Sequence, residues 1–359
     1  MRDILFTVGP VEMYPDTLEL GSKPLPYFRT EEFSIVNKRV CTNLKRCLKT
    51  GETSKVALLT ASGTAAMEAA VLSIFNKKDK ILVVVGGGFG KRFADICECH
   101  HLSYTILELK QGQALERDQL FYYQDKGITG ILINIHETST GVLYNGKLIG
   151  DFSKAIGATL VVDAISSFLA DDYKMDEWNV DATIISSQKA LALSPGMAAV
   201  IVNHKTAEKI ETNPKCCIYL NLADYFADIE RGQTPYTTAV GITLQMDVRL
   251  KNIIDYGLDN TIQKVKELAV DFRKKIEEFD FIIPSQSLSN AVTPLQPAFN
   301  KNAYTIFEHL KNDYHLLVCP SGGGLKDSLI RIGHIGNLTE EHNNILIEAL
   351  RDMQKRGLI

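Results

Sequence analysis

Short apolar runs alternate with helical-period stretches through the first two thirds of the chain. The runs 56–60, 81–85, 130–135, 159–163, 182–186 and 198–202 are dominated by Val, Ile, Leu and Ala, and 104–109 is a further strand-like run. Runs of that length without polar alternation predict strands buried on both faces. Helices are predicted between them at 65–75, 90–101 and 148–156. Ahead of them, Phe33, Val36, Val40, Leu44 and Leu48 recur at helical spacing over 31–48. The alternation predicts an α/β fold, with a large domain built on a mostly parallel, seven-stranded-type sheet between helices.

From Val240 the pattern changes. A helical stretch runs over 240–279 with a break at Gly257. Short strands follow at 281–283, 316–318 and 329–332, with helices at 303–313 and 340–355. This is α+β patterning. It divides the chain into an N-terminal arm over 1–15, a large domain over 16–256 and a smaller C-terminal α+β domain over 257–359. The arm is too short to pack by itself and is interrupted by Gly9-Pro10 and Pro15.

The chain of 359 residues is 45% hydrophobic and 23% charged, an ordinary globular balance. A net charge of −4 offers no footprint for nucleic acid or an anionic membrane. No apolar run reaches membrane-spanning length, and no signal-peptide pattern opens the sequence. Seven unevenly spread cysteines fit a cytoplasmic protein with reduced thiols.

The chemistry concentrates at strand ends. Asp163 ends the run 159–163, and Lys189 follows the run 182–186 through Ser187-Gln188. An acid and an amine at the tips of two successive buried strands suit pyridoxal 5'-phosphate. The amine can hold the cofactor aldehyde as a Schiff base, and the carboxylate can keep the pyridine nitrogen protonated. Ser62-Gly63-Thr64 follows a strand and opens a helix, a seat for phosphate made of free backbone N–H groups and two hydroxyls. The run Gly86-Gly87-Gly88-Phe89-Gly90-Lys91 fits neither a dinucleotide fingerprint nor a P-loop, where Ser or Thr would replace Arg92. It presents Phe89, able to stack on a flat ring. His136-Glu137-Thr138-Ser139-Thr140 lacks the second histidine of a zinc-protease helix, and its hydroxyls suit a cofactor oxygen. Cys97, Cys99 and His101 diverge around a helix and predict no metal site. Arg331, between apolar strand residues, calls for an anion such as a substrate carboxylate.

Together these motifs resemble the class V aminotransferases of the fold-type I pyridoxal-phosphate enzymes. The likeness is nearest to alanine–glyoxylate, serine–pyruvate and 2-aminoethylphosphonate–pyruvate aminotransferases. Thr7-Val8-Gly9-Pro10, Val162-Asp163-Ala164, Thr234-Pro235-Tyr236-Thr237 and Arg331-Ile332-Gly333 extend it nearly end to end. The resemblance implies that Lys189 and Asp163 are catalytic, and that Ser62, Gly63, Thr64 and Gln188 hold the phosphate. It implies Phe89 on the ring and Thr138 or Ser139 near the ring oxygen. Thr237, with Tyr236 beside it, would reach the phosphate in the other subunit of a homodimer with shared active sites. Arg331 would bind the substrate carboxylate, with Gly9 lining the same pocket and Arg29 able to meet a second anionic group. The implied reaction moves an amino group from an alanine- or serine-type donor to glyoxylate or pyruvate by a ping-pong mechanism. The rivals are 2-aminoethylphosphonate–pyruvate transfer and a cysteine desulfurase or lyase. Phe89 and the strand-end position of Cys319 argue against the desulfurase.

Overall fold

The computed structural model describes residues 2–299 and 301–359. Its strands are β1 (Ile4–Phe6), β2 (Lys55–Leu59), β3 (Lys80–Val85), β4 (Ser103–Glu108), β5 (Gly130–Asn134), β6 (His136–Glu137) and β7 (Val142–Leu143). There follow β8 (Thr159–Asp163), β9 (Ala182–Ser186), β10 (Ala198–Val202), β11 (Phe281–Ile282), β12 (Val292–Pro297), β13 (Leu316–Pro320) and β14 (Ile330–Gly333). The helices are α1 (Pro15–Leu20), α2 (Glu31–Cys47), α3 (Gly63–Ile74), α4 (Gly88–Cys99), α5 (Arg117–Phe121) and α6 (Gly146–Ile156). The rest are α7 (His204–Thr212), α8 (Leu222–Ile229), α9 (Val240–Tyr256), α10 (Leu258–Ile276), α11 (Ala303–Tyr314) and α12 (Glu340–Lys355). Among the described residues, no helix is long and apolar enough to cross a membrane.

Seven strands form one sheet in the order β2-β10-β9-β8-β5-β3-β4. Only β10 runs against its neighbours; the other pairings are parallel. The continuous apolar runs have a direct cause. Along β2, Val56 and Leu58 enter one core while Ala57 and Leu59 enter another. Along β8, Leu160 and Val162 face the first core and Val161 the second. Both faces of these strands are covered, so polar residues are scarce before the strand ends, whereas the edge strand β4 exposes Ser103, Ile106 and Glu108.

A second sheet has the order β1-β13-β14-β12-β11 and shares a core with α10, α11 and α12 through Phe272, Leu310, Leu346 and Leu350. β1 comes from the N-terminal arm and pairs in parallel with β13, Ile4 opposite Leu316. The arm is thus an edge strand of the C-terminal sheet. β12 has no counterpart in the sequence pattern, because Pro294 and Pro297 cannot donate to a ladder. β11 pairs only with Gln296 and Pro297, so the stretch around Pro294 has no strand on that side to satisfy. The short helices α1, α5, α7 and α8 were also below the length at which periodicity is legible.

The two long helices at the junction follow the break at Gly257, which takes φ +99° between α9 and α10. A third constraint sets the site. A Cβ on Gly90, in the first turn of α4, would lie 2.6 Å from the Val84 carbonyl oxygen and 2.9 Å from the Val85 Cα. Only glycine lets α4 sit this close to the end of β3. Gly90→Ala should therefore destabilise the fold by about 1–3 kcal/mol through overpacking. On an open helix the same change would stabilise by about 1 kcal/mol. Urea unfolding midpoints check this, and a midpoint at or above that of the unaltered protein would contradict it.

Candidate active site

The carboxyl ends of β2, β3, β5, β8 and β9 open on one edge of the large sheet. This is where open α/β sheets bind ligands. At that edge lies a cavity of about 130 Å³. Ser62, Gly63, Thr64 and Gln188 line one part of it, and Phe89, Thr138, Asp163 and Lys189 another.

Each element delivers its residue for a local reason. Ser62 caps α3, its hydroxyl accepting from the Ala65 N–H, so the helix's first N–H groups face the cavity. Gln188 is oriented by the Ser186 hydroxyl, which donates to its Oε1 at 2.5 Å. Phe89 is half-buried beside the cavity, with the Arg92 guanidinium 4.9 Å from its ring centre. Asp163 is buried at the tip of β8 and accepts from the Ile165 N–H at 2.8 Å.

Lys189 Nζ donates to the Val8 carbonyl at 2.5 Å. The arm therefore lies directly on the lysine. A Cβ on Gly9 would fall 2.7 Å from Lys189 Cδ, and Gly9 takes φ +125°. The glycine is needed for both the approach and the backbone conformation.

The electrostatics follow burial. Desolvation holds the Lys189 amine below its ordinary value, aided by Arg331 and Arg92 and opposed by Cys319 and Asp163. Burial pushes the Asp163 carboxyl up to about 6, against the Ile165 N–H bond and the Lys189 charge. A buried amine biased toward the free base is a nucleophile and a proton acceptor at neutral pH.

Arg331 sits on β14 and donates to the Thr138 and Pro320 carbonyls at 3.2 and 2.7 Å. Its buried Nε has no partner. A guanidinium with a free N–H in such a place is ready for a carboxylate. Cys319, opposite Arg331 on β13, takes the Val8 N–H on its sulfur at 3.3 Å.

Of the two hydroxyls left open by the sequence, Thr138 lines the cavity and Ser139 does not. Ser139 is held by Glu137, its hydroxyl 2.6 Å from Oε1. Gly9 and Arg331 do not line the cavity either, and Arg29, Tyr236 and Thr237 are also outside it in their own chain. Arg29 donates to Gln233 Oε1 and to the Thr234 and Pro235 carbonyls. Tyr236 donates to the Ile218 carbonyl and stacks on Tyr219. Thr237 is exposed.

Five cavity residues were missed: Met67, Arg92, His136, Ile165 and Ser166. Arg92 lines the wall and donates to the Thr64 hydroxyl at 3.1 Å. In the sequence it served only to reject a P-loop, though its helical spacing of three from Phe89 carried the signal. His136 is buried with neither ring nitrogen partnered, and burial lowers it to about 3. The neutral, unpartnered imidazole faces a cavity suited to a flat polar ligand.

Amine, buried carboxylate, stacking ring and phosphate-seating helix start are the donor set pyridoxal phosphate requires. Comparison with known proteins agrees. The family model "Aminotransferase class-V" matches residues 35–291. An uncharacterized aminotransferase of Methanocaldococcus jannaschii is 30% identical over 94% of this chain and 88% of its own. An L-aspartate–glyoxylate aminotransferase of Paracoccus denitrificans is 27% identical over 94% and 87%. The structure of a Thermus thermophilus aspartate aminotransferase of subgroup IV superposes with TM-score 0.92 at 24% identity, covering 99% of both chains. That of a Nostoc alanine–glyoxylate aminotransferase does so with TM-score 0.92 at 21%, covering 99% and 96%. The chain belongs to the class V aminotransferases: it is a fold-type I, pyridoxal-phosphate-dependent enzyme that exchanges an amino group between an amino acid and an oxo acid.

Proposed function

We propose that this aminotransferase takes the amino group of a small, alanine- or serine-type amino acid and delivers it to glyoxylate or pyruvate, in two half-reactions with ping-pong kinetics. The observation that carries this reading is half-buried Arg331, whose Nε has no partner and whose charge acts on Lys189, beside a cavity of about 130 Å³ that Lys189 lines. One carboxylate anchor beside a small cavity suits a short monocarboxylate. Arg29, the candidate for a second anionic group, is bonded to the 233–235 segment. A serine–glyoxylate aminotransferase of Arabidopsis thaliana, 26% identical over 94% of this chain, supports the same substrate class.

The cofactor, when bound, supplies an electron sink for the substrate Cα and a store for the amino group. Lys189 Nζ is the attachment point for its aldehyde and, once displaced, the base that carries the Cα proton. Asp163 would pair with the pyridine nitrogen and keep it protonated. Ser62, Gly63, Thr64 and Gln188 would hold the phosphate, Phe89 would cover the ring, and Thr138 would bond its oxygen. Arg331 binds the substrate carboxylate, with Gly9 closing the pocket over Lys189.

A homodimer completes the site. Thr237, with Tyr236 beside it, reaches the other subunit's phosphate. Supporting this, exposed apolar side chains flank the segment: Leu25 at 61%, Tyr27 at 67% and Ile218 at 72% exposure. A second copy covering them explains why they are apolar.

Absorbance of the cofactor-loaded protein tests the donor. L-Alanine or L-serine should convert bound pyridoxal phosphate to pyridoxamine phosphate, and two-substrate rates with glyoxylate or pyruvate should give parallel reciprocal plots. Conversion by 2-aminoethylphosphonate alone would move the assignment to phosphonates. No conversion by any donor would point to a lyase or desulfurase.

Only the free amine reacts with an aldehyde, so a lowered lysine moves the reaction to lower pH. Cofactor incorporation should rise with a midpoint below 10.5, the ordinary lysine value, and vanish in Lys189→Ala. A midpoint at or above that value would contradict the desolvated amine.

Arg331→Lys loses the planar fork but keeps the charge. A charge-assisted hydrogen bond contributes about 1.5–3 kcal/mol. Steady-state kinetics should thus show kcat/KM reduced by roughly 10- to 100-fold, with cofactor binding retained. Unchanged kcat/KM would remove Arg331 from the carboxylate site.

A further inference from the structure

A cavity more than twice the size of the one at Lys189 lies elsewhere in the molecule. A space of about 320 Å³ lies where α9, α10 and the segment after β14 meet the N-terminal arm. Ala190 forms part of its wall, so it backs onto the chain immediately after Lys189. Its volume reaches the range of small-molecule sites, roughly 300–1,000 Å³.

Its charged lining is all of one sign. Arg249 from α9 and Lys264 from α10 line it, and among the described residues no acidic side chain does. Arg249 is only 8% exposed, and its Nε has no hydrogen-bond acceptor. What it touches is the ring of Tyr14, 3.8 Å from the guanidinium carbon to the ring centre. An aromatic face attracts a cation but accepts none of its N–H bonds in plane. A buried guanidinium without acceptors is costly unless an anion completes it.

The polar neighbours are already fixed. Asn252 donates to Asp16 at 2.6 Å, Thr261 to the Gly257 carbonyl at 3.0 Å, and Tyr14 to the Gly336 carbonyl at 3.3 Å. His334 is bonded through Nε2 to Thr293 Oγ1, while its Nδ1 is buried without a partner. Burial keeps that ring neutral. The unsatisfied groups are therefore the Arg249 fork and one imidazole nitrogen, both in the lining.

We propose that this cavity is a second ligand site, distinct from the Lys189 pocket, for a small anion carrying a carboxylate or phosphate group. The Arg249 fork pairs with the anion in plane, Lys264 closes over it from the rim, and Tyr14 and Leu268 pack on its apolar part. An anion held there bridges α9 to α10, and so bridges the unit of the large sheet to that of the second sheet.

Calorimetric titration of the cofactor-loaded full-length enzyme with inorganic phosphate, with succinate and with neutral succinamide tests this. At least one of the two anions should bind with a saturable event at one site per chain, and succinamide should not. Phosphate alone or succinate alone identifies which group the fork prefers. Arg249→Met should weaken binding at least tenfold, equivalent to about 1.4 kcal/mol. Lys264→Gln, at an exposed position, should weaken it by up to about fivefold. Arg331→Met should leave it in place, because that variant removes the carboxylate anchor of the other pocket. Should Arg249→Met fail to fold, Lys264→Glu decides, since loss of the event supports the site and unchanged binding overturns it. Absence of binding by both anions, or an event lost in Arg331→Met and kept in Arg249→Met, would overturn the proposal.

Discussion

A lysine inside a protein has N–H protons to place and, to become a nucleophile, a charge to shed, and the architecture around the active site is arranged by that requirement. Lys189 meets it with a bond to the Val8 carbonyl and with two electrostatic neighbours of opposite influence, Asp163 and Arg331. The first neighbour belongs to the large sheet, the second to the other sheet, and Val8 to the N-terminal arm. No single unit could desolvate the amine alone. The arm's pairing of β1 with β13 serves the same end, since it fixes the position of Val8 and Gly9 over the lysine.

The same requirement explains which parts of the site were legible in the sequence. Strands buried on both faces exclude polar residues along their length, so Asp163 stands out as the first carboxylate after an apolar run. Lys189 is similarly marked by β9. The helix-opening Ser62-Gly63-Thr64 is legible because capping and phosphate seating use the same residue types. Arg92 and His136 were not legible as site residues. An arginine in an exposed-looking helix turn and a histidine at a strand end have many ordinary uses, and only the fold brings them to one wall. The choice between Thr138 and Ser139 was equally beyond the sequence. It rests on a side-chain bond to Glu137 that turns Ser139 away.

Element boundaries show a matching division. The strands of the large sheet follow directly from apolar continuity, whereas β12 hides behind two prolines and β1 behind its brevity. Both belong to the second sheet, whose strands are short and less uniformly apolar. Yet this sheet carries Arg331 and positions the arm. The less legible half of the fold thus carries the proposed substrate anchor, and the more legible half the residues proposed to hold the cofactor. Cofactor class could accordingly be read from residues alone, while donor identity depends on a pocket wall assembled across the two units.

Three arginines near the junction of those units separate structural from ligand-binding roles by a physical criterion, the supply of acceptors. Arg273 is satisfied: it donates to Thr293 Oγ1 and to the Ser289 and Val292 carbonyls, and it holds β12 against α10. Arg331 has two carbonyl acceptors and no partner at its buried Nε, a guanidinium held in place with part of its fork kept open. Arg249 has an aromatic face and no acceptor at Nε. Burial alone would class the three together, since each is at least partly removed from water. Acceptor supply ranks them, because a guanidinium already bonded by backbone oxygens has little left to offer an anion. A substrate anchor needs to be placed before the substrate arrives and incomplete until it does, and these are the grounds on which Arg331 is proposed for that role.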